Sequence, residues 1–428
     1  MASIDEALIE KLNSLSIESK PIIKYTNFNI NDGQSLTSWK MNEHLYSKQP
    51  CPFPTLARGL FTKGNEIIVR GYDKFFNVGE VPWTHWSSLK SYTEGPYTLS
   101  FKENGCIIFI AALDEDNIIV TSKHALGPPN EQNLNQGTTI SHAQVGEKWL
   151  DIHLKNSNRT RKELAEILFK NSWTAVAELC DDSFEEHVLP YPPSRRGLHL
   201  HGLNKNIANF QTEDFSIVES FANDWGFIKT RYINKNTIEE VEDFAKLIES
   251  QNGSINGEPI EGFVVRCKIS SKTLGKNMKD CPPYDGNSVF FFKVKFDEPY
   301  LMYREWREIT KGLLSRYENG SINDEKGLRR CSYPHSIIYK DWVKSKIVND
   351  YNLFQEYNKN KGIILVRDLF LNELETSSEM KSVFENVKNS WNKKNMNKKD
   401  KIIDDRLKDN RPFEKIMLVP IAVPGCGK

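Results

Sequence analysis

The chain has 428 residues, with 57 basic and 57 acidic side chains and a formal net charge of +0. That balance excludes global steering of an anionic partner, so any nucleic-acid surface has to be a local patch. Hydrophobic content of 39% and aromatic content of 11% allow large cores in two to three domains, while seven Cys without a CxxC pair argue for a reducing compartment and against a zinc module.

The N-terminus, MASIDEALIEKLNSLSIESK, predicts a short amphipathic helix over 2–15. It has no apolar h-region, so no secretory signal is expected, and no apolar run approaches transmembrane length. The expected setting is cytoplasm or nucleus, with no membrane. Residues 35–46 are polar around Trp39 and are read as leading into a first strand. The proline-flanked stretch 51–54 is a loop, and strands follow at 56–61 and 66–70 around Lys63-Gly64-Asn65. Gly71 to Asn77 then packs cations and aromatics together, and Phe75 and Phe76 suit either a core or a nucleotide site.

The central stretch is Tyr97 to Ile110, YTLSFKENGCIIFI. An alternating apolar run ends at Lys102, three polar or small residues follow, and a solid apolar strand begins at Ile107. This predicts a lysine on a turn between two strands of one buried sheet. Partial burial should lower its pKa and yield a nucleophilic amine. Further strands are expected at 118–122, 174–179, 198–203, 262–267 and 289–296, and helices at 141–154, 161–169, 215–225 and 238–250. Residues 127–139 read as a loop. After Pro299 the pattern turns helical, at 300–317, 337–357, 363–374 and 380–391. The lysine and asparagine run 392–401 reads as a solvated linker or helix end.

Four polar signals sit at strand ends: Lys102 with Gly105, Glu178, Glu261 with Gly262, and the pair Lys293 and Lys295. In FFFKVKF the two lysines project from one face of a strand, which asks for an anion to meet them. A nucleophilic lysine, two carboxylates for a metal and two lysines for a phosphate form a working set for phosphoryl transfer.

The order Lys102-Glu103-Asn104-Gly105, Ala177-Glu178-Leu179, Glu261-Gly262-Phe263-Val264-Val265-Arg266 and Lys293-Val294-Lys295 resembles motifs I, III, IV and V of the covalent nucleotidyltransferases, the superfamily of DNA ligases, RNA ligases and capping enzymes. Arg58-Gly59 and Lys74-Phe75-Phe76-Asn77 narrow the resemblance to the phage RNA ligase 1-like group. The stretches RGYDKFFNVGE, ELCDDSFEEH and EPYLMYREWREIT resemble the sealing domain of fungal tRNA ligases. Asn104 stands where ligases and capping enzymes commonly carry Asp, a departure shared by the fungal tRNA ligases.

The resemblance implies an α+β fold: a ligase-type nucleotidyltransferase domain, unrelated to ATP-grasp folds, with an antiparallel-rich sheet over 1–298. An all-helical domain would follow over 299–405, and 406–428 would hold a linker and the start of a truncated P-loop, AVPGCGK, without kinase activity. The implied substrate and cofactor are ATP and magnesium. Lys102 would carry AMP, Glu178 and Glu261 would organise the metal, and Lys293 and Lys295 would contact the α-phosphate. Arg58 and Lys74 would orient pyrophosphate, with Phe76, Glu103, Asn104 and Gly105 completing the nucleotide site. Arg304, Arg307 and His187 would receive an RNA 2′-phosphate. The implied partners are tRNA halves and the cleaved messenger RNA exons of the unfolded-protein response, and a monomer is expected. Two alternatives stay open at this point: a capping-type guanylyltransferase and a non-enzymatic RNA-binding scaffold.

Overall fold

A computed structural model describes residues 3–30, 34–127, 140–271, 280–324, 326–328 and 330–408, with backbone alone over 394–408. The loop expected at 127–139, apart from Gly127, and the P-loop resemblance at 422–428 lie outside the described residues, as do the side chains of most of the 392–401 run.

The first helix, Ile4–Ser16, starts in a capping box: the Ser3 hydroxyl accepts from the Glu6 N–H and the Glu6 carboxylate accepts from the Ser3 N–H. It buries Leu8, Ile9 and Leu12. Next comes an antiparallel sheet in the order Ile23–Ile30, Gln34–Met41, Leu60–Lys63, Glu66–Arg70. The stretch 35–46, read as leading into a first strand, is itself mostly strand, Gln34–Met41, and it pairs with an upstream strand that the sequence reading did not place. Ile23–Ile30 reads IKYTNFNI, and only Ile23 is fully buried, so no apolar alternation announces it.

Two five-stranded sheets form the body that carries the chemistry. One runs Ile228–Lys229, Gly197–Lys205, Trp173–Cys180, Cys106–Ala112, Ile118–Ser122. The other runs Tyr232–Lys235, Thr93–Phe101, Gly262–Ile269, Val289–Lys295, Phe76–Asn77. Pairing is antiparallel except at the two-residue edge strands Ile228–Lys229 and Phe76–Asn77, which pair parallel. Helices His142–Asn156, Arg161–Asn171 and Phe215–Asp224 contribute buried side chains such as Leu150, Leu164 and Val218 to the core of the first of these sheets. Helix Ile238–Ser250 packs Val241, Ala245 and Ile248 into the core of the second. A separate aromatic-rich core, including Phe61, Tyr72, Phe109, Val176 and Phe291, draws on the four-stranded sheet and both five-stranded sheets.

One element differs in kind from the sequence reading. Thr93–Phe101 and Cys106–Ala112 lie in different sheets, so Lys102 to Gly105 is a crossover between sheets and not a hairpin turn within one.

From Met302 onward the chain is helical, with helices Met302–Glu318, Pro334–Asn349, Ile363–Thr376 and Ser378–Lys408 around a core of their own. Trp306, 1% exposed, stacks on Tyr339 with ring centroids 4.7 Å apart and meets Phe370 edge-on at 4.9 Å. This part grips the sheets through the 181–191 segment. Glu186 N–H donates to Asn360 O (2.7 Å), Arg367 Nη1 to Val188 O (2.7 Å), and Val188, Leu189 and Tyr300 pack together. No described helix is long and apolar enough to cross a membrane.

Candidate active site

The crossover position sets the geometry of Lys102. Its N–H donates to Gly262 O at 2.9 Å, and Phe101 is in register with Phe263. Gly262 is in turn the register partner of Lys295. Gly262 has φ +146, and a Cβ there would lie 1.9 Å from Val294 O, so only glycine lets these backbones approach so closely. Pairing alone thus brings Lys102, Glu261 and Lys295 together from three distant segments.

Glu261 is 0% exposed, and its Oε1 takes both lysines, Lys102 Nζ at 2.8 Å and Lys295 Nζ at 2.7 Å. Burial works to raise the pKa of this carboxyl, yet the two ammonium groups hold it below its usual range. For Lys102 burial works downward, but the Glu261 and Glu178 carboxylates outweigh it and the net direction is up. The expected neutral amine is therefore corrected: Lys102 rests as an ion-paired ammonium, because the carboxylate at 2.8 Å wins over desolvation.

Lys74 and Lys123 beside the site are shifted down by burial, and Lys293 is shifted down far enough to lie near neutrality. Burial and the nearby positive charges of Lys74 and Lys295 bring it from 10.5 down to about 7. It makes no ion pair among the described residues, and its Nζ lies 5.3 Å from the centroid of the Phe75 ring. A lysine held near neutrality without a counter-ion beside a cavity is a receptor for an anion, which would restore its charge.

The three residues after Lys102 lock the crossover. The Glu103 carboxylate accepts from Tyr191 OH at 2.8 Å and lies 3.6 Å from His199 Nδ1 and 3.7 Å from Arg195 Nη2. Against the upward push of burial, these partners hold it down at about 2. Asn104 uses both ends of its amide. Its Oδ1 accepts from the Val188 and Leu189 N–H groups, and its Nδ2 donates to Glu261 Oε2 at 3.2 Å and reaches Tyr300 OH at 3.5 Å. An aspartate would turn that donor into an acceptor facing Glu261, which gives a local reason for Asn here. Gly105 N–H donates to Glu178 Oε1 at 3.3 Å, and a Cβ at Gly105 would lie 2.1 Å from Leu179 O.

Beside Lys102 opens a cavity of about 260 Å³. Its wall contains Arg58, Lys102, Glu103, Glu178 and Lys293 of the expected residues. Phe75, Val264 and Ile107 add apolar surface. Of the expected nucleotide-site residues, Asn104, Gly105, Glu261 and Lys295 lie behind the wall, and Phe76 and Lys74 stand off it altogether. Phe76 is 4% exposed in the core, edge-on to Trp83 at 5.6 Å, and Phe75 faces the cavity instead. Lys74 lies 4.9 Å over the Phe76 ring and 3.9 Å from Glu80, acting on the site through its charge near Lys293.

The sequence reading passed over Lys123 and His201, both on the wall. Lys123 follows the apolar strand Ile118–Ser122 as Lys102 follows Thr93–Phe101, so the same strand-end signal was available. His201 stacks on Tyr72 (5.7 Å, 19°) with Nε2 3.8 Å from Glu178 Oε2, a placement that only the pairing of distant strands supplies.

The hard carboxylate oxygens of Glu178 face the cavity and suit a magnesium ion. Glu261 fits one less well, since two ammonium groups already share its Oε1. Of the expected 2′-phosphate residues, Arg307 and His187 interact electrostatically, while Arg304 lies on a different groove with Lys295 and Asn77. Arg307 also pairs with Glu308 at 3.1 Å, and His187 Nε2 is 3.3 Å from Glu185 Oε1.

A family model described as RNA ligase matches residues 56–301, more than half of the chain. The chain is 40% identical over 413 residues to tRNA ligase 1 of Schizosaccharomyces pombe, covering 92% of this chain and 47% of that protein. It is 39% identical over 448 residues to the tRNA ligase of Candida albicans, covering 98% and 50%. The chain spans about half the length of the curated relatives it matches. Among solved structures, an archaeal ATP-dependent RNA ligase aligns with a TM-score of 0.43 and 11% identity over 88% of this chain and 84% of that one, and no conclusion rests on that likeness.

Proposed function

The chain belongs to the RNA ligase family, and from that premise we propose that it seals RNA ends with ATP by way of an AMP carried on Lys102. The observation that carries this reading is the Lys102–Glu261–Lys295 ion-pair chain, whose Lys102 lines a cavity that also holds the uncompensated Lys293. In the first step Lys102 Nζ, having shed a proton, attacks the α-phosphorus of ATP. A P–N bond forms, the bond to pyrophosphate breaks, and pyrophosphate leaves. In the second, an oxygen of an RNA 5′-phosphate attacks the same phosphorus, and the P–N bond breaks to return Lys102. In the third, the 3′-OH of the other RNA end attacks the activated 5′-phosphate, AMP leaves and a phosphodiester remains.

Lys293 and Lys295 meet the α-phosphate, and Arg58 holds the outgoing phosphates. Glu178 would hold a magnesium ion, whose contribution is to neutralise phosphate charge. As an anion settles on Lys293 and Lys295, the pull of Lys295 on Glu261 weakens, which leaves the carboxylate free to take the Lys102 proton. The backbone beside Glu103 reads the base edge, fixed by the Tyr191 and His199 contacts of that side chain.

The substrates we propose are tRNA halves, and cleaved messenger RNA exons, whose 3′ end carries a 2′-phosphate. Arg307 and His187 are the group for that phosphate, while Arg304, on the same helix, meets the RNA end from the neighbouring groove that it lines with Lys295. The decisive test is incubation with labelled ATP or GTP. An acid-labile, alkali-stable adduct with ATP that is absent in Lys102→Ala is expected. An adduct with GTP alone points to a capping chemistry, and no adduct with either overturns the enzymatic reading. For the RNA end, Arg304→Ala and Arg307→Ala should still form the adenylate but seal 2′-phosphate ends more slowly. Equal sealing by variants and parent rejects the clamp.

A further inference from the structure

The outer cations of the cavity are not free. Arg58 and Lys123 both line it, and both are held by one oxygen of one carboxylate. Glu43 Oε1 accepts from Arg58 Nε at 3.3 Å and Nη2 at 3.1 Å, and it also pairs with Lys123 Nζ. These cations hold the Glu43 carboxyl below its usual range against the upward push of partial burial.

The three residues come from separate elements. Glu43 opens the short 3-10 turn Glu43–Leu45, where the Asn42 side chain accepts from the His44 N–H. Arg58 is fixed by its N–H donating to Tyr72 O at 2.8 Å. Lys123 extends from the strand Ile118–Ser122. Glu43 itself is not part of the cavity wall, and its side chain is 40% exposed. It can therefore turn into water at small cost, whereas the two cations stay at the wall. A carboxylate placed this way imitates one terminal phosphate oxygen.

We propose that Glu43 is an internal competitor for the polyphosphate end of the cavity, and that it sets how readily pyrophosphate leaves after the first step. The inference rests on reading the cavity as the ATP site. ATP displaces Glu43 from Arg58 and Lys123 because its tail offers more charge and more acceptor oxygens. Once the α-phosphorus is bonded to Lys102 and the bond to pyrophosphate has broken, pyrophosphate must hold those cations by itself. Glu43 is still beside them and takes them back. The reaction is biased forward because the competitor acts on the leaving group and not on the bonded AMP. Had Glu43 served only to orient Arg58, its loss would weaken polyphosphate binding. Competition requires the opposite sign.

The test is calorimetric titration of the full chain with inorganic pyrophosphate, and separately with AMP, in parent and Glu43→Gln proteins. Glutamine keeps the shape and removes the charge. Pyrophosphate should bind roughly five-fold tighter to the variant, the equivalent of one exposed ion pair of about 1 kcal/mol. AMP, which lacks the tail, should bind both proteins equally. Pyrophosphate binding that is unchanged or weaker in Glu43→Gln overturns the inference alone. An equal gain for AMP also overturns it, since the effect would not be specific to the tail. Failure of the parent and the variant to bind pyrophosphate at all overturns the reading of the cavity, and this inference with it.

Discussion

At Lys102 an ammonium faces a fully buried carboxylate 2.8 Å away, while Lys293 meets no carboxylate in an ion pair among the described residues. The consequences for pH are opposite in sign. Lys293 has a folded pKa of about 7 against 10.5 in the open chain. Between these values the unfolded chain binds a proton that the folded one lacks, so stability rises with pH across this window. Replacement by Met should flatten that rise, as read by denaturant titration at pH 7 and pH 9. An anion at Lys293 should restore its charge, so ATP binding near pH 8 should take up a proton. Calorimetry in buffers of different ionisation enthalpy reads this uptake, and equal apparent enthalpies would reject the assignment. Lys293→Ala should slow adenylate formation by roughly 10²–10³-fold, the usual cost of one lost electrostatic contact in a site. Lys102→Arg should form no adenylate, because a guanidinium stays protonated. At this scale the sequence brings out residues that the fold gathers around one cavity but misjudges their charge. Spacing placed Lys102, Glu261, Lys293 and Lys295 at strand ends, but a pKa depends on which carboxylate ends up 3 Å away across a sheet.

The crossover Lys102 to Gly105 joins two sheets and is tied down by side chains from several elements. Asn104→Asp should turn a donor into a charged acceptor beside Glu261. Thermal and chemical unfolding should show a loss of about 2 kcal/mol, within the range for a buried group left unpaired. Unchanged stability would mean that Asn104 does not discriminate against a charge. Gly105→Ala should cost about 2–3 kcal/mol through overpacking, because the new methyl meets the Leu179 carbonyl at 2.1 Å. Crystallographic displacement of the Glu178 strand would be its structural signature. Elements with solid apolar runs, such as Cys106–Ala112 and Val289–Lys295, were legible in the sequence. Amphipathic helices such as Ile238–Ser250 were legible to the residue. Polar strands such as Ile23–Ile30 and two-residue edges such as Phe76–Asn77 were not, since nothing local distinguishes them from loop. The switch of sheet at Lys102 was equally invisible, because a hairpin and a crossover share one local pattern.

On the scale of the molecule, the helices from Met302 onward have their own core centred on Trp306, yet reach the site through Tyr300 and the 181–191 segment. Trp306→Ala should remove about 3–5 kcal/mol from that core. Because Arg304 and Arg307 ride on the same helix, it should also slow sealing more than adenylate formation. Equal slowing of both steps would show that the helices serve the nucleotide and not the RNA end. The change from mixed to helical pattern near residue 300 was plain in the sequence. The grip of Asn360 and Arg367 on the 181–191 segment was not, since those contacts join segments far apart in the chain.

The sheet that carries the lysines has a further consequence. Its order interleaves the strand ending at Phe101 with strands from Gly262 and Val289, and its edge at Phe76 pairs only with the last of these. Only Gly262–Ile269 and Val289–Lys295 pair as successive strands; the strand ending at Phe101 can pair only with segments more than 130 residues further on. During synthesis, the Lys102 strand therefore waits for most of the remaining body to leave the ribosome before it finds its neighbours. Non-local pairing of this kind makes folding slow. The late arrivals, Gly262 and Lys295, are also the residues that bring Glu261 and the second ammonium to Lys102. Nascent chains released before Gly262–Ile269 should show an incompletely protected Thr93–Phe101 strand in pulsed hydrogen exchange, and full protection should appear once Gly262–Ile269, its partner along one edge, is present.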